Sequence, residues 1–465
     1  MMFLPMILSL MGCAAEPSAM AEAPVVPVAA NPAAADAPDL VIIAIAGLRE
    51  DAETQAAERF MAALGEAPTV RFTNAYSVTP NAYVSLGTIL SGRYPTATPL
   101  CGLTSPPGPL PDDAPWCNRW PKSVPSLPGV LALYGYRTAL VTANLAGAGE
   151  LGKQFQSALP VAENWANVRS DWTAVSALAG AWWRADTTHP RLLVVATNDL
   201  AVLSRPDILA AMKLSDVEAG GHIDRTAVVA AYANAAVEAG KGVKQLVAAL
   251  AGSAGGTERR RTTVITGLHG INLGEAAAPW QALRAGSWND ILLDRTLHVP
   301  LAILTSAPAQ RREEQVVELI DLLPTLIART EAVLPAGLHG QDVLAADFLA
   351  DPDATAYAEF GDMLAVRQGN WMWSGRAFFH NRSSLDPELT DFFVGFVGDS
   401  PKFHLHDVAR DPFQRKELLA AHLDEARRMN ALLLSIRTGA GAAPPSEMDA
   451  RRIWDLRMSP ADGYW

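Results

Sequence analysis

Five short stretches of the chain are apolar at nearly every position, and longer stretches with a helical pattern separate them. Strands that are buried on both faces of a parallel sheet show such continuous apolar runs. A helix is predicted over residues 225–252, where apolar side chains recur every three or four positions. The alternation of strand and helix predicts a doubly wound α/β fold, in which sites form at the carboxyl ends of the strands. The predicted strands are residues 40–47, 137–144, 191–197, 262–267 and 299–306.

The pattern changes after about residue 350, where runs become shorter and aromatic residues more frequent. This favours a small antiparallel sheet, followed by a helix over residues 412–437 that packs back on the body. We therefore predict an α/β domain over residues 39–350, a C-terminal subdomain over 351–440 and a loose tail over 441–465.

The first 38 residues have a different character from the rest of the chain. Residues 1–13 are mostly apolar and end in Leu10-Met11-Gly12-Cys13, which resembles a bacterial lipoprotein signal with Cys13 as the lipidated residue. The run is too short to span a bilayer, and residues 14–38 are Ala- and Pro-rich, as in an extended tether. The expected location is the bacterial envelope, in the periplasm or at the outer membrane. No Lys or Arg precedes Cys13, so an ordinary secretory signal and a misassigned start stay open.

The net charge and the cysteines limit which binding partners and which cellular compartment are expected. The chain has 37 Lys and Arg against 49 Asp and Glu, a formal net charge of −12. No basic stripe is available to displace phosphate counterions, which excludes nucleic acid as the expected partner. Cys101 and Cys117 lie sixteen residues apart, and in an oxidising envelope a disulfide there would stabilise the fold by about 3 kcal/mol. Two free thiols are the alternative.

Residues 79–95 read "TPNAYVSLGTILSGRYP", which resembles the turn that carries the nucleophile in sulfatases and their alkaline-phosphatase-like relatives. The resemblance covers most of residues 39–435 and implies a three-layer α/β/α fold with a mostly parallel central sheet, plus a small C-terminal antiparallel sheet and helix. Five further segments resemble sulfatase motifs in the family's order: residues 38–51, 126–144, 262–275, 293–344 and 403–419.

The resemblance also implies a reaction centre, and the chain departs from it at three positions. Family members hold a divalent cation, Ca²⁺ or Mg²⁺, between carboxylates and place a nucleophile beside it. The first carboxylate falls on Ala46, the nucleophile on Ala82 and the second carboxylate on Leu268. None of these side chains can bind a cation or attack an ester, so no cofactor is expected unless the protein is active.

Polar residues near these positions are reserve candidates. Ser85 and Thr88 are alternative nucleophiles, although we expect their hydroxyls to bond backbone groups in the first turn of the helix. Asp51 matches a supporting carboxylate. His269 fits a surviving ligand or acid position, and His298 occupies the position of a family Arg. Two further candidates for the cleft are Asp199 and His222. Asp199 keeps the first residue of a D-x-H pair, in which Ala201 replaces the His.

Three hypotheses of function follow. The leading one is a catalytically inactive sulfatase-like envelope lipoprotein that binds or scaffolds a protein or a sulfated or phosphorylated ligand. The alternative is an active sulfuric- or phosphoric-ester hydrolase, with a displaced nucleophile and metal site built from the reserve candidates. A third reading makes the protein a partner subunit of a neighbouring enzyme. The convergence of the reserve side chains on one cleft would favour the hydrolase.

Overall fold

A computed structural model describes the body of the chain in segments. The described residues are 37–98, 100, 120–143, 145, 148–161, 170–186, 188–201, 206–212, 224–251, 259–273, 292–305, 311–345, 354–360, 363–376 and 403–440. The predictions for Cys13, Cys101, Cys117 and His222 lie outside them, as do those for the signal, most of the tether and the tail.

An eight-stranded sheet forms the centre of the main domain, in the order β4-β3-β5-β1-β6-β7-β2-β8. All neighbouring pairs are parallel except those of β7, which runs antiparallel to both β6 and β2. Its strands are β1 (Asp39–Ala46), β2 (Val70–Tyr76), β3 (Arg137–Ala143), β4 (Ser157–Pro160), β5 (Arg191–Thr197), β6 (Arg261–His269), β7 (His298–Leu304) and β8 (Arg311–Glu318).

Helices cover both faces of this sheet. They are α1 (Ala56–Leu64), α2 (Ala82–Ser91), α3 (Leu127–Leu133), α4 (Ala148–Gly152), α5 (Trp172–Arg184), α6 (Pro206–Met212), α7 (Arg225–Ala249), α8 (Asp294–Leu297) and α9 (Leu322–Ile327). Alternate residues of β1 face opposite layers, because Ile42 packs in a core with α2, α3 and α9, whereas Ile43 packs in a core with α1, α5 and α7. The predicted α/β fold with a mostly parallel sheet is confirmed.

The observed strands extend the prediction in two ways. All five apolar runs form strands of the central sheet, but β6 continues through Leu268 to His269, and β7 runs antiparallel. β2, β4 and β8 have no counterpart among the predicted strands. β8 has the sequence RREEQVVE and lies at the edge of the sheet beside β2, where one side of a strand faces solvent and polar residues are accepted.

The C-terminal residues form a separate four-stranded antiparallel sheet, as predicted. Its strands are β9 (Thr355–Phe360), β10 (Met363–Gln368), β11 (Trp371–Arg376) and β12 (Phe403–Asp407), in the order β12-β11-β10-β9. The last helix, α10 (Leu423–Gly439), begins eleven residues later than Pro412, the predicted start. Gln414 has a left-handed backbone with φ of 49°, which interrupts a helix there. Met429 and Leu433 of α10 share one apolar cluster with Trp373 of the small sheet and Tyr94 of the main domain.

Among the described residues, no helix is both long enough and apolar enough to cross a membrane.

A candidate active site filled by apolar side chains

The carboxyl ends of β1, β5 and β6 meet at one edge of the central sheet. Ala46, the last residue of β1, is paired with His269 of β6, and the Gly47 N–H donates to the His269 carbonyl at 2.9 Å. The Leu200 N–H, just beyond β5, donates to the Ala46 carbonyl at 3.1 Å. Gly47 has φ of +84°, and a Cβ at this position would lie 2.4 Å from the Leu200 carbonyl carbon. The close approach of these strand ends therefore requires glycine.

Helix α2 begins beside the same edge. Asn81 caps it, because the Asn81 side chain accepts a hydrogen bond from the Val84 N–H at 3.1 Å, and Ala82 is the first helical residue. One turn later, the Ser85 hydroxyl donates to the Leu268 carbonyl at 2.6 Å. This bond ties the start of α2 to the end of β6, so that Ala82 and Leu268 lie on elements that contact each other.

The three positions that would carry the chemistry are part of the hydrophobic core. Ala46 and Leu268 have no exposed surface and belong to the same apolar cluster, and the partly buried Ala82 packs against that cluster. Ca²⁺ takes six to eight oxygen ligands, and Mg²⁺ needs a nearly octahedral set. Ala46, Ala82 and Leu268 offer none, so these three side chains do not fit a divalent cation.

The hydroxyl groups of Ser85 and Thr88, which follow Ala82 in α2, are buried and hydrogen-bonded. Ser85 and Thr88 have no exposed surface. The Thr88 hydroxyl donates to the Ser85 carbonyl at 2.8 Å within the helix, as expected, but Ser85 bonds to β6 instead of its own first turn. That expectation for Ser85 was wrong, because the Leu268 carbonyl of β6 lies beside the hydroxyl and accepts its hydrogen bond. Neither hydroxyl faces a space that an ester could enter.

A comparison of this sequence with models of protein families agrees with the motifs found along the chain. A family model described as Sulfatase matches residues 50–332, which is more than half of the chain. The chain belongs to the sulfatase family. No curated protein matches the sequence.

Solved structures with the same fold include several that act on sulfate or phosphonate esters. A 2-O GAG sulfatase matches with a TM-score of 0.62 and 16% identity, over 90% of this chain and 94% of its own. A structure in complex with its substrate D-glucosamine-2-N,6-O-disulfate gives 0.57 and 12%, over 88% and 99%. The phosphonate monoester hydrolase of Agrobacterium radiobacter gives 0.57 and 14%, over 87% and 96%. At such identities these matches show the fold.

Asp51, the supporting carboxylate of the sulfatase motif, stabilises the loop after β1. Its Oδ2 accepts from Arg49 Nε at 2.6 Å and from the Thr54 hydroxyl at 2.7 Å, while its Oδ1 accepts from the Thr54 N–H at 2.9 Å. Burial acts to raise the pKa of Asp51, but the Arg49 charge and these hydrogen bonds outweigh it and lower the pKa. Arg49 itself is fully buried and donates to the Ile271 carbonyl at 2.8 Å.

The two histidines of the expected site lie in different surroundings. His269 Nδ1 lies 2.6 Å from the Gly270 carbonyl, and burial lowers the pKa of this imidazole. His298 stacks on Tyr76 with 4.8 Å between ring centres, and its Nε2 lies 2.7 Å from the Thr73 carbonyl. Burial lowers the pKa of His298 as well, against the opposing charge of Asp294. Each ring is thus fixed by a main-chain carbonyl rather than by a ligand.

Asp199 completes the reserve candidates and is also bonded to its neighbours. Its carboxylate accepts from the Ser170 N–H at 3.1 Å and from Trp172 Nε1 at 2.9 Å, which holds the start of α5. Ala201, in place of the second residue of the D-x-H pair, is partly buried. The described candidates are therefore committed to different sets of partners.

A buried acid cluster joins the main domain to the small sheet, and our sequence reasoning missed it. Glu318 Oε2 accepts from the Tyr94 hydroxyl at 2.6 Å, and Glu318 Oε1 accepts from the Tyr357 N–H at 2.8 Å. Burial and the nearby Asp321 raise the pKa of Glu318 to about 8, and burial raises that of Asp321 to about 7. Asp321 lies in the segment 293–344 that resembles a sulfatase motif, but its proximity to Glu318 became apparent only in three dimensions.

Proposed function

We propose that this protein is a catalytically inactive member of the sulfatase family that serves a binding or scaffolding role in the bacterial envelope. The observation that carries the proposal is the fully buried Leu268, packed in one core cluster with Ala46 at the edge where family members bind a cation. Belonging to a family of hydrolases does not supply activity by itself, because activity depends on the site.

The chemistry of ester hydrolysis in this family needs a cation and a nucleophile together. A divalent cation stabilises charge that develops on the ester oxygens, and the nucleophile forms a covalent intermediate. Ala46 and Leu268 remove the two carboxylates, and the Ala82 methyl group has no atom that can attack. Losses of residues that act as a unit do not compensate one another. We therefore expect no residual turnover from the remaining framework.

Activity assays on the purified mature protein test this proposal. The substrates are 4-nitrophenyl sulfate, 4-nitrophenyl phosphate and a phenyl phosphonate ester, each with Ca²⁺, Mg²⁺ or a chelator. We expect rates equal to those of buffer under every condition, while an active sulfatase assayed in parallel shows that the substrates are competent.

The Ser85→Ala variant serves as the matched control for a displaced nucleophile. Metal-dependent turnover in the wild-type protein that disappears in S85A would refute inactivity and establish the alternative hydrolase. Turnover that persists in S85A would equally refute inactivity and point to another nucleophile.

The envelope location rests on the N-terminal sequence. Cys13 follows an apolar run and precedes the Ala- and Pro-rich residues 14–38, an arrangement that suits a lipid anchor and a tether. Expressed in a bacterium, the wild-type chain should sediment with membranes and incorporate labelled palmitate, and Cys13→Ser should do neither. A wild-type chain without label in the soluble fraction would favour an ordinary secretory signal.

We call the edge of the central sheet at Ala46, Ala82 and Leu268 the filled edge. The proposed binding partner is a protein or a sulfated or phosphorylated ligand that contacts the surface outside this filled edge. Relatives of the fold include a GAG sulfatase, which supports testing sulfated sugars. A net charge of −12 disfavours anionic ligands at low salt. Calorimetry with heparin fragments and with a phosphorylated sugar, compared with cross-linking in intact cells, separates the two partner classes.

A further inference from the structure

β12, a strand of the small sheet, and the loop after it bring two histidines and a glutamate together. His404 and His406 alternate with Leu405, which lies in the apolar cluster beneath α10. Side chains alternate across a strand, so both imidazoles project from the opposite face. The chain then turns back, and the Leu418 N–H donates to the Leu405 carbonyl at 2.9 Å, which places Glu417 beside the strand.

The three side chains are close enough to share one ligand. His404 Nδ1 lies 2.9 Å from Glu417 Oε2, and the two imidazole rings are nearly parallel, with centroids 6.0 Å apart. One nitrogen from each ring and one carboxylate oxygen all lie within 4.8 Å of one another. Around a tetrahedral Zn²⁺ the ligand atoms lie about 3.3 Å apart, a contraction that rotations of side chains can supply.

The surroundings orient these groups in advance. Glu417 Oε1 accepts from the Leu405 N–H at 3.0 Å and from the Leu419 N–H at 2.7 Å. His406 Nδ1 lies 3.1 Å from the Lys416 carbonyl, and His406 is only 6% exposed. A hydrogen bond that one imidazole N–H donates to a carboxylate or a carbonyl fixes the ring of a metal-binding histidine. The Lys416 carbonyl is such a partner for His406.

A buried nitrogen without a partner gives a second, independent indication of a ligand. His404 Nε2 is buried and has no hydrogen-bond partner among the described residues. Buried polar atoms are nearly always bonded, and each exception calls for an explanation such as an ion.

We propose that His404, His406 and Glu417 bind a transition-metal dication of the zinc class. Two imidazoles and one carboxylate select Zn²⁺, Co²⁺ or Ni²⁺ over Ca²⁺ and Mg²⁺, which prefer oxygen ligands. Water completes the coordination, as at other sites with three protein ligands. The bound ion links β12 to the loop that precedes α10 and so fixes the edge of the small sheet. This site is independent of the proposed lack of catalysis.

Metal titration of the full chain, stripped with a chelator, tests the site. The experiment titrates Zn²⁺ in competition with a chromophoric chelator and records the visible spectrum after adding Co²⁺. We expect one Zn²⁺ per chain with submicromolar affinity, an intense Co²⁺ band typical of four-coordinate ions, and no change with Ca²⁺. His404→Ala and His406→Ala should each weaken Zn²⁺ binding at least a hundredfold, and His189→Ala, which alters an exposed histidine, should leave it unchanged.

A second pair of measurements keeps the proposal testable if an alanine variant unfolds. His406→Gln retains a polar side chain of similar size, and circular dichroism reports whether it folds. Zn²⁺ should raise the melting temperature of the wild-type chain but not of folded H406Q, because binding to the native state alone stabilises it. Wild-type affinity in either histidine variant, or a wild-type chain that binds no Zn²⁺ below 100 µM, would overturn the proposal.

Discussion

Replacing Glu318 with glutamine should change how the stability of this protein depends on pH. Glu318 ends β8, and Asp321 follows in a short 3-10 turn, with 8% and 6% of their surfaces exposed. Both carboxyls have raised pKa values, about 8 and about 7, because burial disfavours their charged forms. The folded state therefore keeps protons at neutral pH that the unfolded chain has already released.

The sign and size of the effect follow from that difference in bound protons. Below pH 4.5, the ordinary value for Glu318, both states hold the proton and the native contacts keep their full strength. Stability then falls as pH rises to about 8, by about 1.4 kcal/mol per pH unit for one group. Asp321 adds a similar slope up to about pH 7. Together the two carboxyls should thus contribute a loss of about 2.7 kcal/mol per unit between pH 5 and pH 7.

Glu318→Gln removes one of the two titrating groups while keeping the hydrogen bonds. The amide oxygen can accept from the Tyr357 N–H, and the amide nitrogen can donate to the Tyr94 oxygen. We expect the free energy of unfolding of the variant to rise relative to wild type by about 1.4 kcal/mol per pH unit from pH 5 to pH 7.5.

Urea denaturation at half-unit pH steps measures this difference, and Glu66→Gln, at an exposed position of the same residue type, is the control. E66Q should follow the wild-type profile. Parallel profiles for E318Q and wild type would refute the reasoning, because they would show that Glu318 carries the same charge in both states.

Three further substitutions test the packing around the filled edge and the core. Leu268→Asp buries an uncompensated carboxylate and should lower the free energy of unfolding by about 3 kcal/mol or more, seen in thermal melts, without recruiting Ca²⁺. Asp39→Asn weakens a buried ion pair with Arg191 and should cost about 3–5 kcal/mol in urea titrations, whereas Asp424→Asn breaks an exposed pair and should leave the midpoint unchanged. Tyr232→Phe removes a hydroxyl that donates to the turn after β1 at 2.5 Å and should cost about 1–3 kcal/mol, with hydrogen exchange rising in that turn.

The strands that the sequence revealed are those with both faces buried. β1 and β5 are buried at every position, and their residues are apolar apart from Asp39 at the start of β1 and Arg191 and Thr197 at the two ends of β5. β8 escaped prediction because it lies at an edge, and Arg311 and Arg312 are exposed there. Its place in the sheet depends on main-chain bonding to β2, which any sequence can provide. Edge strands carry little sequence signal for this reason.

The same distinction applies to the site: positions fixed by sequence motifs were predictable, whereas contacts between residues far apart in the chain were not. Motif spacing placed Ala46, Ala82 and Leu268 at the site, because the resemblance fixes positions along the chain. The bond from Ser85 to the Leu268 carbonyl joins residues 183 apart, and no periodicity reports such a contact. Glu417 likewise reaches His404 only because the intervening chain turns back after β12.

The three apolar substitutions at the filled edge support one another energetically. A lone carboxylate at position 46 or 268 would lie in the core without a partner charge, which is strongly unfavourable. Two carboxylates without a cation would repel each other as well. Leu268 instead adds about 2 kcal/mol of apolar burial. Any single step back towards a cation site therefore loses stability before it gains a ligand set.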